Sequence, residues 1–509
     1  MELPHDISSC HALILQQAGQ IAFLTHQNSE LAGQLSALMD QFRALGDQNT
    51  ELLKQNTELL RQNTELSTQV GVLHKRLEEQ ESRLNQNSRN SHRPPSSDGP
   101  AKRPALPRKA KGKKGGQYGH KGTTLKMSET PDTVVELCPS VCACGADLGG
   151  TSQGVIERRQ VFDLPPQQLV VTEYRQMHGR CACCKQYWYG AFPKGVGAPV
   201  QYGPRVRALS VLLSTEYRTP LRKVGQLFKD LYGQVVNVAT ISGFLEDCHR
   251  RLEPVEEYIR TQLRQGAVVH FDETGIRCAG SLQWLHVASN ALFTLLFVHP
   301  KRGLEAIGSS TSALVGFKGW AVHDCWASYL KTGVDRHGIC MAHIVRELVG
   351  LMEQGSLWAP HMRRLLLTLY TWTDKGQGCL GAARMVNVER LYDSILSYAD
   401  GLEPPPQVNA KGRAKSSKGR NLLKRLTKLK TSVLAFARHA EVPFTNNQAE
   451  RDLRPAKVKL KVAGTFRHSP GANEYARIQS FISTTQKHKF DVFTQLVAVF
   501  QGQKTLIVS

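Results

Sequence analysis

The chain has 509 residues, too many for one hydrophobic core, and a prior of three or four folding units follows. Lys and Arg total 65 against 43 Asp and Glu, a formal charge of +22, which points to a polyanionic partner, most simply nucleic acid. No apolar run approaches the roughly 20 residues needed to cross a bilayer, the acids Glu2 and Asp6 argue against a signal peptide, and twelve cysteines without one suit a reducing compartment, where clustered thiols bind metal.

Residues 1–87 are expected to be helical, with a coiled coil over 27–86. "NTELLKQ NTELLRQ NTELSTQ" is a near-perfect heptad repeat. Leu31, Leu38, Leu45, Leu52, Leu59, Leu66 and Leu73 occupy d. Leu35, Phe42, Asn49, Asn56, Asn63, Val70, Leu77 and Leu84 fall at a. Leucine at d with asparagine at a favours an in-register parallel dimer, at some cost in stability. A long amphipathic helix packed on its own domain is the competing reading. Residues 88–132 follow as a basic Pro/Gly/Ser linker, suited to lie along DNA phosphates or to act as a solvated tether.

Residues 133–200 are expected to form a small zinc-ribbon-like module. Cys138, Cys142 and Cys144 make one cluster and Cys181, Cys183 and Cys184 another, separated by strand-like "RRQVFDL" and "QQLVVTEYRQ". Tetrahedral Zn²⁺ is held by paired thiolates on tight turns. Cys181 and Cys184 have the usual two-residue gap; the first pair comes from Cys138, Cys142 and Cys144. Residues 201–265 outline a helix, a Gly-containing turn and a second helix opening near Thr240, a helix-turn-helix-like DNA-binding region or a plain helical packing unit.

From 266 the pattern turns α/β. "GAVVHFDETG", "LQWLHVASN" and "LFTLLFVHP" read as three successive strands, "GLEAIGSS" as a short helix, "FKGWAVHDCWASY" as a strand entering a helix, and "HGICMAH" as a further strand. The spacing predicts a mixed sheet with helices on its faces over 266–464, and a helical insertion at about 344–440 broken by a basic loop. A C-terminal helical region, 465–509, ends in a helix over 488–501. Asp272 and Asp324 each close an apolar strand. If the strands adjoin, two carboxylates meet and call for a cation, for which Mg²⁺ is the natural choice. "TNNQAERDL" offers a third acid. Thr445 or Asn446 caps a helix there, Glu450 lies one turn in, and Asp452 points roughly 200° away. Arg454 shares the Glu450 face and suits a phosphate. Pro455 is expected to end or kink this helix. Cys340 and His343 read as packing more than as a metal pair.

Acids in the order Asp, Asp and, after a long helical stretch, Glu resemble the DDE transposases. More closely, the chain is similar to the insertion sequence sixty-six family through "PPSSDG", "GGQYGHKG", the cysteine knuckles, "FDETGIR" with "WLHVASN", "CMAHIVRE" and "NNQAERDLRPAKVKLKVAGTFRHSPGA". It departs in the third cysteine of its first knuckle and in "DCWASY", where the family more usually has Asp-Gly-Tyr. The resemblance implies an RNase-H-like core with Asp272, Asp324 and Glu450 as catalytic, metal-holding acids. Two Mg²⁺ (or Mn²⁺) ions would assist strand cleavage and strand transfer. It further implies transposon-end and target DNA as partners, help from other products of the same element, and a cytoplasmic, nucleoid-associated bacterial protein. Arg451, Arg454, Lys457, Lys459, Lys461 and Arg467, on and just after the Glu450 helix, are expected to touch DNA. Two rival activities remain open: a non-catalytic coiled-coil, zinc and helix-turn-helix DNA-binding protein, and a metal nuclease that never joins.

Overall fold

The computed structural model describes residues 6–87, 89–91, 125–149, 154–373, 378–405 and 416–508. Most of the expected 88–132 linker, with "PPSSDG" and "GGQYGHKG", lies outside them, as does most of the basic loop near 410. The chain divides into two compact units, Met1–Gln86 and Asn87–Ser509. Among the described residues no helix is long and apolar enough to cross a membrane.

The first unit is a single helix, α1 (Ile7–Leu84). It extends some twenty residues ahead of the heptad stretch, and Asp6 caps its start: its carboxylate accepts the Ser9 N–H at 2.8 Å, and the Ser9 hydroxyl as well. The heptad leucines at d are exposed, from 49% at Leu52 to 61% at Leu45. An apolar stripe of this length has no partner within its own unit.

In the second unit the 133–200 segment is sparser in strands than expected. It has one hairpin, β1 (His178–Arg180) with β2 (Tyr187–Tyr189). The segments "RRQVFDL" and "QQLVVTEYRQ" are not strands; Val161, Val170 and Val171 are almost fully exposed. An isolated strand in so small a module has no second layer to bury its apolar side. Four helices follow: α2 (Pro204–Thr215), α3 (Leu221–Tyr232), α4 (Val238–Arg251) and α5 (Glu253–Arg264). Gly233, with φ 71°, ends α3, and the Asn237 side chain caps α4 by accepting the Ala239 N–H at 3.0 Å. Gly225 lets α3 approach the Val236 carbonyl: a Cβ there would lie 2.4 Å from that oxygen.

The sheet comprises β3 (Val268–Cys278), β4 (Ser281–Ser289), β5 (Thr294–His299), β6 (Trp320–His323) and β7 (His337–Ile339), in the order β5-β4-β3-β6-β7. The first three are antiparallel and consecutive; β6 and β7 run parallel to β3. The short helix α6 (Leu304–Ile307) appears as expected, but β6 leads into a turn and a 3₁₀ segment (Tyr329–Lys331), not an α-helix. The mixed α/β class and the strand assignments therefore agree with the sequence pattern. After β7 come α7 (Met341–Met352), α8 (Ala359–Trp372), α9 (Ala382–Leu402), α10 (Lys418–Lys428), α11 (Lys430–Val433) and α12 (Ala435–Arg438). They bury Trp358, Leu366, Tyr392, Leu422 and Phe436 in their own core, which reaches the sheet through Val322 and Ile339.

Three helices close the chain: α13 (Asn447–Ala463), α14 (Ser469–Lys487) and α15 (Val492–Gln501). Helix α14, inside the expected 465–509 helical region, packs along β5. Its Ser480 hydroxyl accepts the Leu296 N–H at 2.7 Å, and its Thr484 hydroxyl accepts the Thr294 N–H at 3.1 Å. These are backbone donors of the outermost strand that no neighbouring strand reaches. Ile478, Phe481 and Ile482 of α14 join Leu496 and Phe500 of α15, the helices α2–α5 and one face of the sheet in the largest core.

Candidate active site

Strand length decides where the acids stand. Asp272 lies in the middle of β3, not at its tip, because the antiparallel partner β4 continues to Cys278. On its other side β3 pairs with β6 only from Val268 to His270, and β6 stops at His323. Asp272 is thus just beyond the parallel pairing, and Asp324 is the first residue after β6. Both occupy the same end of adjoining parallel strands, where open sheets form sites. Asp324 starts a tight turn, accepting the Trp326 N–H at 3.1 Å.

Glu450 comes from the first turn of α13, which packs on β3 and β4. Burial raises the Asp272 carboxyl well above the usual carboxylate range, and the charges of Glu273, Asp324 and Glu450 push it further up. Asp324 and Glu450 thus both bear on Asp272, although the three carboxylates do not all lie within 4.8 Å of one another. The Glu273 N–H, 2.8 Å from Asp272 Oδ1, opposes the shift. An all-oxygen donor set under mutual repulsion fits a hard divalent cation such as Mg²⁺ or Mn²⁺, which removes the repulsion by holding the acids together.

Glu273 faces the opposite way. Its carboxylate is buried, 2.8 Å from Arg302 and 2.5 Å from the Tyr329 hydroxyl. Burial raises its pKa, and the bonds from Tyr329 and Arg302 counter that shift. The Arg302 guanidinium lies over the rings of Trp326 (4.3 Å) and Trp284 (4.9 Å). Tyr329 and Trp326 belong to the segment following Asp324, so Glu273 ties that segment to β3.

Asn446 was expected only as a helix cap. It makes no side-chain cap; it is 1% exposed and bridges to β3 instead. Its amide donates to the Phe271 carbonyl at 2.8 Å, and its Oδ1 meets His270 Nδ1 at 2.9 Å. Its backbone N–H reaches Cys340 Sγ at 3.2 Å. One residue thereby fixes the start of the Glu450 helix against the residues flanking Asp272. The amide partner of Phe271 O could not be assigned from sequence, because it lies 175 positions away.

Asp452, two residues past Glu450, points into the body of the protein. Its Oδ2 accepts from Lys487 Nζ at 2.8 Å, Gln448 at 3.0 Å and the Thr294 hydroxyl at 3.3 Å. Helix α13 runs through Pro455 to Ala463. The carbonyl that Pro455 leaves without a helical donor belongs to Arg451, an exposed position open to water. Of the basic residues expected on DNA, Arg451, Arg454, Lys457, Lys461 and Arg467 are exposed. Lys459 is turned inward: its ammonium donates to the Ser214 carbonyl at 2.9 Å and lies over the Tyr475 ring. Burial lowers its pKa to about 8. Its place in a basic run gave no sign of this, since periodicity alone does not separate a half-buried lysine from its neighbours.

The cysteine knuckles adopt tight turns that differ by one residue in length. The Gly145 N–H donates to the Cys142 carbonyl at 2.8 Å, and the Lys185 N–H to the Cys181 carbonyl at 3.0 Å, with Gly145 and Lys185 both at positive φ. Backbone N–H groups of Cys144 and Cys184 lead the influences that lower the Cys142 and Cys181 thiols. Cys144 and Cys138 are exposed. Among the described residues the two knuckles are not within ligand distance of each other. A cluster of metal-ligating atoms does form elsewhere, from Cys340, His343 and Glu450, all within 4.8 Å of one another.

Residues 199–474 match the family model described as Transposase IS66 family. Residues 24–126 match a family of unknown function (DUF6444). The comparison with curated proteins gave no match. The first match takes in α2–α5, the whole sheet, the helical insertion and α13, and so contains Asp272, Asp324 and Glu450; the knuckle cysteines lie outside it.

Proposed function

The chain belongs to the IS66 transposase family, and we propose that it cuts DNA at the ends of a mobile element and joins them to a target, with Asp272, Asp324 and Glu450 as its catalytic acids. The observation that supports this above the others is positional: Asp272 stands just past the parallel β3–β6 pairing, Asp324 directly follows β6, and Glu450 sits in the first turn of α13, which packs on β3, all within the matched region. The strand order, three antiparallel strands followed by two parallel ones, suits the RNase-H-like core that the resemblance implies.

Asp272, Asp324 and Glu450 would hold Mg²⁺ or Mn²⁺, which when bound supplies charge stabilisation for the attacking and leaving oxygens of an in-line phosphoryl transfer. The protein's own part is positional. The carboxylates ligate and do not attack. Asn446 sets Glu450 against β3, and the Glu273–Tyr329 bond sets the Asp324 turn. Arg451, Arg454, Lys457, Lys461 and Arg467, exposed on and just after the Glu450 helix, would present cations to DNA phosphates, contacts that carry affinity and register but no sequence information.

The remaining parts fit the same activity. A structural Zn²⁺ site is proposed for Cys142, Cys144, Cys181 and Cys184, with Cys138 as the alternative ligand of the first knuckle; the two knuckles would have to close on the ion from the separation at which they stand here. The α3–α4 pair reads as a helix-turn-helix-like DNA contact. The exposed leucine stripe of α1 suits a parallel dimer that pairs two transposon ends.

The test uses purified full-length protein, duplex DNA from either flank of the gene, and a pre-cut end for joining. Wild type should cleave and join with Mg²⁺. Asp272→Ala, Asp324→Ala and Glu450→Ala should each lose both steps while still binding DNA, because the acids serve the transition state more than the ground state. Cleavage without joining would identify a nuclease. Binding without either step in the wild type would identify a non-catalytic DNA-binding protein.

A further inference from the structure

Glu450 has a second set of neighbours. Cys340 precedes α7, and His343 lies in that helix's first turn, three residues on. One ligand atom from each of Cys340, His343 and Glu450 lies within 4.8 Å of the other two. Cys340 is fully buried. Its sulfur takes the Asn446 N–H at 3.2 Å and also interacts with the backbone N–H groups of His343 and Ala342. These backbone donors offset only part of the burial around the sulfur, so a bound cation would be what stabilises its thiolate form.

We propose that Cys340, His343 and Glu450 form a second metal site, selective for a soft divalent ion such as Zn²⁺, whose occupation withdraws Glu450 from the catalytic carboxylates. The ligand chemistry separates the two sites. Thiolate and imidazole suit Zn²⁺, whereas Mg²⁺ requires hard oxygen donors. Three protein ligands leave a fourth tetrahedral position for water. With no metal bound the Cys340 thiol keeps its proton, since burial pushes its pKa up to about 11. Metal binding expels that proton to solvent, and one S–metal bond replaces one S–H bond. A Glu450 carboxylate drawn onto Zn²⁺ beside Cys340 and His343 is displaced from, and made a poorer donor to, the Mg²⁺ at Asp272 and Asp324. Zn²⁺ here therefore inhibits Mg²⁺-dependent cleavage, and the site acts as a brake that reads the supply of free soft metal.

The existence of the site does not depend on the proposed transposase chemistry; only its inhibitory consequence does. Co²⁺ is titrated into metal-free full-length protein, and thiolate-to-cobalt absorption is followed. Cys340→Ser should bind one equivalent fewer and lose the absorption of one Co–S bond, while the knuckle cysteines keep theirs. His343→Gln, which leaves the buried thiol in place, provides a second variant and should weaken the same equivalent at least tenfold. Cleavage with saturating Mg²⁺ should fall when one further equivalent of Zn²⁺ is added to wild type, and Cys340→Ser should resist that loss. Cobalt stoichiometry and spectra identical in wild type, Cys340→Ser and His343→Gln would overturn the site. Zinc bound at Cys340 without loss of cleavage would overturn the sharing of Glu450. A protein that binds this equivalent but never cleaves with Mg²⁺ alone keeps the site and overturns the functional proposal instead.

Discussion

Asp452 and Glu450 stand two residues apart on one helix, and replacing each should fail in a different way. Asp452 and Lys487 are only 10% and 13% exposed, and their pair is short at 2.8 Å. The ammonium is also held by the carbonyls of Asn290 (2.9 Å) and Phe293 (3.0 Å), so all three of its protons are bound. Asp452→Ala removes the counter-charge and leaves the Lys487 ammonium buried. It also strips Gln448 and the Thr294 hydroxyl of an acceptor. Breaking a buried pair from one side costs about 3–5 kcal/mol. Glu450 is partly exposed and lies among acids, so Glu450→Gln should leave stability almost unchanged and abolish cleavage. Asp452→Leu combined with Lys487→Met should recover most of the loss, because a buried pair and an apolar pair of similar volume are nearly equivalent. Urea unfolding of full-length proteins, run beside the cleavage assay, measures both effects. An Asp452→Ala protein destabilised by less than about 1 kcal/mol, the value of a surface pair, would refute this account. So would a Glu450→Gln protein that loses as much stability as Asp452→Ala.

Asn446→Ala should cost about 2–4 kcal/mol, since it orphans the buried Phe271 carbonyl and the His270 ring nitrogen, and should raise the Mg²⁺ concentration needed for half-maximal cleavage; unfolding and metal titration check the two. Lys459 holds its proton less tightly in the folded chain than its ordinary value near 10.5 allows. Between pH 8 and 10.5 the unfolded chain therefore binds more protons, and stability should rise with pH through this group by on the order of 3 kcal/mol at most. Lys459→Met should lack that increment in unfolding curves taken across the range. A peptide of residues 27–86 should be a moderately stable parallel dimer. Replacing Asn49, Asn56 and Asn63 by Ile should raise its melting temperature and admit higher assemblies, as read by analytical ultracentrifugation.

The strands were legible because "AVVHF" and "GWAVH" are apolar runs that end at an acid, a pattern with few other uses in so basic a chain. The pairing that brings Asp272 and Asp324 side by side followed from that pattern and from the parallel β3–β6 register. The 465–509 region reads as helical, but the role of α14 does not, because "SFISTTQ" looks polar while its hydroxyls are buried and spent on β5 backbone. The inward turn of Lys459 and the bond from Asn446 to Phe271 rest on contacts across more than 170 residues, which no local pattern encodes. Cys340 and His343 looked like an incomplete pair because their third neighbour, Glu450, comes 107 positions later, after the helical insertion.

The hydroxyl row of α14 has a consequence for how copies of this chain meet. A strand with free N–H groups is a template on which another chain can add a strand, and many proteins aggregate that way. Ser480 and Thr484 occupy those groups on β5, while α11 and α12 pack against β7 at the far side of the sheet. Both edges of the sheet are thereby closed to strand addition. Ser480→Ala with Thr484→Val, which strip β5 of those acceptors, should make the protein aggregate at a lower concentration than wild type, as light scattering would read.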